Sequence, residues 1–476
     1  MKREGGGTAP PGMFPHGRTR RETGKQPERI RGDNHGMTQR EYLRVLGPFV
    51  LTTMTQPLLG AVDTAVMGRL PDPAYIAGVA VGAVIFNTIY WLLGFLRVGS
   101  TGFSAQAGDD AEQLRKAVLL PALMALGLSL LILLLQRPIF AGAMLVLEPD
   151  EATRRVTAVY YDILIWGAPL ALGNYVMLGW LMGRSLIAAA LLMQLGGNAL
   201  NMLLDVLLVL VLDAGPAGVA AATLLAQAFS FLVGAAAVCR ALPGGLHGMA
   251  RLADTGEMLR MARVNGHLFL RTVCLLVQMN IFMATAASFG TATLSGNAVL
   301  IQTMLIFSYV FEGIANASSV FAGRAVGRDS SELMEETRRA TRLWTLLAML
   351  LLTGGYALWR EPLLHLFTDL PEVLTKAGRY SLWGLLFPVV AGFGLSYYGM
   401  FTGASRTRPV FVSTLLALLA FAAVWAVAVP LWGNHGLWLA YMVFYAGRSL
   451  FLAPLHPLPR NAQRARHTSR THYSLS

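Results

Sequence analysis

Residues 187–212 read IAAALLMQLGGNALNMLLDVLLVLVL, twenty-six residues with one ionisable side chain, Asp205. A helix of that length rises about 39 Å, more than the roughly 30 Å of bilayer hydrocarbon. Its polar residues, Gln194, Asn198, Asn201 and Asp205, are spaced i, i+4, i+7 and i+11. At 100° per residue, all four fall within about 60° of one face. That stripe cannot face lipid; it lines a cavity or meets polar groups on neighbouring helices.

On both sides of this stretch, apolar runs of spanning length recur with short polar breaks. They lie near 43–68, 76–104, 117–136, 158–183, 187–212, 216–239, 264–289, 294–322, 343–359, 379–402, 409–431 and 434–455. The chain is 55% hydrophobic and 13% charged, about half the charge of a soluble domain. So few charges cannot cover a water-facing surface. The expected fold is an all-α membrane protein of twelve transmembrane helices, with the bilayer as a partner.

Residues 1–36 are rich in Gly, Pro and Arg and too polar to fold alone; residues 457–476 read as a second polar tail, and Met37 is an alternative start. The formal charge of +12 suggests nucleic acid only until the basic residues are placed. If both tails are cytoplasmic, inside segments hold 28 of the 38 Lys and Arg and outside loops hold 7. This four-to-one bias sets an even helix count with both termini inside. Two cysteines, Cys239 and Cys274, point to packing rather than a disulfide framework. There is no phosphate-cradling P-loop and no metal-spaced histidine cluster, so neither ATP hydrolysis nor a resident cofactor is expected.

The chain also repeats. A shift of 218 residues lays Gly78 on Gly296, Ser100 on Ser318, Phe103 on Phe321, Ala107 on Ala325 and Gly218 on Gly436. A shift of 220 lays Gly179 and Gly183 on Gly399 and Gly403. Two pseudo-symmetric six-helix lobes follow, at 37–240 and 263–456, joined by a cytoplasmic linker at 241–262. Six helices per lobe make the repeats parallel, an arrangement that encloses a site at the interface and works by rocking about it.

Ionisable groups inside a span cost about 2.5–3.5 kcal/mol each at the bilayer centre, so those retained are functional candidates. Asp63, with Thr52 and Gln56 on one face of the first span, is one; Pro48 and Pro57 allow that helix to bend. Thr223 and Gln227 form an i, i+4 pair in the sixth span. If Asp63 and Asp205 approach each other, desolvation and repulsion both favour protonation of the pair. Such carboxyls can couple to H⁺, and the same oxygens can hold Na⁺. Arg97 lies late in its span, where a long side chain can snorkel. Glu312 shares a face with Gln302 and Asn316 and could be a second cation site or the partner of Arg271.

Several segments together resemble the multidrug and toxic compound extrusion (MATE) family, nearest its DinF-like branch. They are Pro57-Leu-Leu-Gly-Ala-Val-Asp63, Phe95-Leu-Arg97-Val-Gly-Ser-Thr-Gly102, Trp166-Gly-Ala-Pro169 with Asn174-Tyr175, Asn198-x-x-Asn201-x-x-x-Asp205 and Gly218-Val-Ala-x-Ala-Thr223-x-x-Ala-Gln227. The resemblance covers about residues 40–455. It implies a monomeric, two-lobed antiporter of the inner membrane, exporting cationic or amphipathic compounds against H⁺ or Na⁺. Asp63 and Asp205 match its coupling aspartates, and Asn201 and Thr223 match their polar neighbours, with Asn198 in the same motif. Gln56, Gln194, Asn174, Gln227, Glu312, Gln302 and Arg97 are then cavity candidates. The alternatives are a flippase of the same superfamily moving lipid-linked oligosaccharides, which calls for a larger and more basic cavity, and an intramembrane aspartyl protease. The protease reading lacks a Gly-Asp motif and leaves the repeat unexplained.

Overall fold

The computed structural model describes residues 37–54, 73–245, 255–368 and 370–452. The Asp63, Gln56 and Pro57 expectations, and those for both tails, lie outside the described residues. Fifteen α-helices and no strand are found among the described residues. In the first half these are α1 Gln39–Met54, α2 Pro73–Leu93, α3 Phe95–Gln106, α4 Ala111–Leu134, α5 Gln136–Leu147, α6 Glu151–Leu164, α7 Ala168–Gly183, α8 Ile187–Asp205 and α9 Gly215–Ala241. The second half holds α10 Thr255–Ser288, α11 Thr291–Gly327, α12 Ser331–His365, α13 Pro371–Gly403, α14 Thr407–Trp432 and α15 Asn434–Leu452.

Ten of the resulting spans are long and apolar enough to cross a membrane, counting α2–α3, α6–α7 and α8 with its continuation as one each. With α1 and α15 in the remaining two places, the all-α, twelve-span arrangement stands. Several boundaries differ from the sequence reading, among them the starts of α12 and α13, at Ser331 and Pro371 rather than near 343 and 379. The second span breaks at Gly94 between α2 and α3. The loop expected after residue 136 contains α5, a short apolar helix with Leu145 and Val146 exposed. Finally, α10 begins at Thr255, inside the stretch assigned to the linker.

Local chemistry sets several ends. Asp150 caps α6: its carboxylate accepts from the Thr153 backbone N–H at 2.8 Å and from the Thr153 hydroxyl at 3.1 Å. Those donors hold its carboxyl below the usual carboxylate range, since hydrogen bonds to the charged form favour it. Asp110 caps α4 in the same way, accepting from Glu112 and Gln113. Ser330 caps α12.

The internal repeat is physical. A Cβ on Gly179 would strike the Arg97 carbonyl oxygen, and one on Gly399 would strike that of Ala315. Gly183 meets the Thr101 carbonyl, and Gly403 meets that of Ser319. Each pair is related by the shifts found in the sequence, so α3–α7 and α11–α13 cross through the same glycine notch. Small residues permit such close approach where lipid removes the usual hydrophobic drive.

Crossings between the halves obey the same symmetry. Ala105 touches the position of its own repeat mate, Gly323. Gln106 Nε2 donates to Ser405 Oγ at 2.7 Å, while Arg324 Nη2 donates to Ser185 Oγ at 2.7 Å. Both serines sit at left-handed backbone positions, φ 55° and 54°. One apolar cluster, containing Phe49, Trp180, Phe311 and Val320, draws on both halves. A second, around Phe86, Tyr161 and Leu172, is built mainly from the first half with Leu268 of α10 joining it, and a third, around Phe282, Phe387 and Trp438, lies within the second half.

Candidate functional site

Asp205 is the last α-helical residue of α8; the chain then continues through a π-helical turn, Val206–Val211. There the Leu212 N–H reaches the Leu207 carbonyl at 3.0 Å. A π turn widens the backbone spiral and is enriched at functional positions. Sequence reading missed it, because an unbroken Val-Leu run gives no local signal. Asp205 is only 1% exposed and Asn201 5%, so the polar end of the stripe is turned inward, as expected.

The stripe meets α9 and α7. Asn201 Nδ2 donates to Thr223 Oγ1 at 3.5 Å, and Thr223 Oγ1 donates to the Val219 carbonyl at 3.0 Å. One turn along α9, the Gln227 carbonyl accepts from Asn174 Nδ2 on α7 at 2.9 Å. Asn174 Oδ1, Gln194 Oε1, Asn198 Nδ2 and Gln227 Oε1 are buried with no hydrogen-bond partner among the described residues. Each such atom costs about 1–3 kcal/mol unless something occupies it. The four atoms stand on three adjoining helices, α7, α8 and α9. Thus the contacts of α7, α8 and α9 join Asn201 to Thr223 and Asn174 to Gln227, while Gln194, Asn198 and Asp205 share the α8 face that carries Asn201. Pro48 lies within α1, where it removes one backbone donor.

The remaining candidates gather elsewhere. Arg97 Nη2 on α3 donates to Glu312 Oε1 on α11 at 2.6 Å, with the side chains 21% and 29% exposed. Glu312 therefore pairs across the two halves with Arg97 rather than with Arg271. Gln302 is exposed and stands apart from this pair. Arg271 instead stacks on the Tyr398 ring at 4.6 Å, and Arg448 lies over Tyr445 at 5.3 Å and Phe444 at 5.8 Å. A cavity of about 650 Å³ opens between α10 and the start of α14, lined by Arg260, Arg263, His267, Arg406 and Arg408. No residue of the α8 stripe reaches it.

The Arg97–Glu312 pair joins segments 215 residues apart, so it can be tested as a contact between the halves. A double-mutant cycle on Arg97→Gln and Glu312→Gln, read by thermal unfolding in detergent, should return a coupling of about 1–2 kcal/mol, above the usual surface pair. Simple additivity of the two substitutions would show that the pair holds nothing.

The MatE family model matches residues 48–207 and again 268–427, one match per repeat. The chain is 36% identical over 413 residues to DNA damage-inducible protein F of Escherichia coli (strain K12), spanning 86% of this chain and 90% of that protein. It is 23% identical over 426 residues to a probable multidrug resistance protein NorM of Shewanella oneidensis, spanning 85% and 91%. Among solved structures, a MOP superfamily transporter from Pyrococcus furiosus superposes with a TM-score of 0.78 at 19% identity, over 87% of this chain and 94% of that one. That superposition supports the two-lobed fold.

Proposed function

The chain belongs to the MatE family of multi-pass membrane transporters and is not an enzyme, and from that premise we propose that it exports organic compounds by ion-driven antiport. The observation that carries this reading is the inward stripe of α8, which ends on the buried Asp205 carboxyl beside a π turn. A carboxyl there can take up H⁺ or contribute oxygens to Na⁺, with Asn201 and Thr223 as polar neighbours. Asp63 is its proposed partner from the first span. Binding of the ion on one side of the membrane and release on the other would alternate with cargo binding as the two lobes rock. This reading sets the protein in the inner membrane with both termini in the cytoplasm, an orientation that the basic-loop bias supports.

Amides and a carboxylate in the first lobe suit the cationic part of an amphipathic cargo. The flippase alternative gains one specific observation, the arginines Arg271 and Arg448 of the second lobe, because a lipid-linked sugar carries phosphate. The deciding experiment uses proteoliposomes loaded with a fluorescent organic cation, on which H⁺ and Na⁺ gradients are imposed separately. Cargo movement should follow one gradient and collapse when that gradient is dissipated. Movement indifferent to both gradients would defeat the antiport reading.

A further inference from the structure

Apart from residues at span ends, three basic side chains lie inside the apolar spans: Arg97, Arg271 and Arg448. They come from three separate spans, on α3, α10 and α15, yet the fold gathers them. Tyr398 on α13 stands within electrostatic reach of all three and of Glu312, and Arg271 and Arg448 are electrostatic neighbours of each other. Bringing like charges together in a low-dielectric interior is costly and needs a compensating anion.

Glu312 is the one carboxylate among the described residues within ion-pairing distance of any of the three, and it is held by Arg97. Arg448 is 4% exposed and its contacts are with the Tyr445 and Phe444 rings. Arg271 Nε is buried without a hydrogen-bond partner among the described residues. Ring faces stabilise a guanidinium from above but cannot accept its in-plane N–H groups, of which each arginine has five. Two guanidinium groups thus keep donor edges that an oxyanion would satisfy, in the geometry that arginine uses to grip carboxylates and phosphates.

We propose that Arg271 and Arg448, flanked by the Arg97–Glu312 pair, form a binding site for the anionic head of an amphipathic cargo, a carboxylate, sulfonate or phosphate ester whose apolar body lies against Tyr398, Phe444 and Tyr445. The assignment rests on the efflux reading above and extends it to a second chemical class. Cationic groups are served by the first lobe and anionic groups by the second.

The test uses purified full-length protein titrated with dansyl-undecanoate, its uncharged carboxamide and the dansyl amine of matched chain length. Wild type should bind the carboxylate at least about tenfold more tightly than the carboxamide, the gain typical of a charge-assisted hydrogen bond. Arg271→Gln and Arg448→Gln should each erase most of that preference, Arg271→Lys should retain part of it, and amine binding should not weaken.

Equal binding of acid and amide by wild type would overturn the proposal without any variant. So would a preference preserved in both glutamine variants, shown by their melting profiles to be folded. If Arg448→Gln does not fold, Arg271→Gln and the wild-type ratio still decide. Displacement of the probe by phosphatidylglycerol but not phosphatidylcholine, with no transport of the dansyl anion in proteoliposomes, would assign the site to lipid and overturn the cargo reading. Asp205→Asn should keep the acid preference while losing driven transport, so failure of ion coupling and failure of anion binding are separable.

Discussion

Asp205→Asn should abolish ion-driven accumulation of cargo while leaving the helical fold and protein yield unchanged. Asparagine matches aspartate in shape, so the crossings of α8 with α9 survive. What disappears is the group that can exchange a proton or present two anionic oxygens to a cation. One charge moving through 100 mV supplies about 2.3 kcal/mol, enough to sustain roughly a fifty-fold cargo gradient. In proteoliposomes the variant should fall from that order of gradient towards unity, while downhill movement of cargo persists. Because Asp205 is 1% exposed, the loss cannot be attributed to a surface charge. A variant that still builds the wild-type gradient would remove Asp205 from the coupling machinery and leave the burden on the first span alone.

Much of this was legible in the sequence, for reasons that can be named. The stripe Gln194–Asn198–Asn201–Asp205 was visible because helical periodicity converts spacing into direction, and the packing of Asn201 against Thr223 follows that direction. The repeat was visible because a glycine at a helix crossing admits no substitute, so Gly179, Gly183, Gly399 and Gly403 stand out at matching intervals. Pairings over long separations were not legible. Nothing in the neighbourhood of Glu312 announces Arg97, and the sequence left Glu312 as either a second cation site or the partner of Arg271. Convergence of Arg97, Arg271 and Arg448 depends on how α3, α10 and α15 are arranged in space, which hydrophobic runs do not encode. The signal available was the count itself, since three basic residues remained inside the spans after the loops had absorbed the others. The π turn after Asp205 left no trace, because Val and Leu accept either helix geometry.

Gly403→Val should be among the most destabilising single changes in the second half, costing about 3 kcal/mol or more, at the upper end of overpacking. A Cβ there would stand 2.8 Å from the Ser319 Cα and 2.7 Å from its carbonyl carbon, besides striking the carbonyl oxygen. These are backbone atoms of α11, and no rotamer change can move them aside. The Gly403 carbonyl also accepts from Gln106 Nε2 at 2.6 Å, and Gly102 of the first half abuts Thr402 and Gly403. Displacing α13 therefore loosens the second lobe and its seam with the first together. The repeat mate Gly183→Val meets Thr101 and Ser104 in the same way and should carry a comparable penalty. Gly354→Ala in α12, with nothing within 4 Å of the added carbon, should be neutral or stabilise by up to about 1 kcal/mol through helix propensity. Thermal midpoints in detergent give the ranking directly. A wild-type midpoint for Gly403→Val would mean that the helices can separate at this crossing without cost. The glycine notches would then be hinges on which the lobes flex, not the rigid joints that carry each lobe as one body.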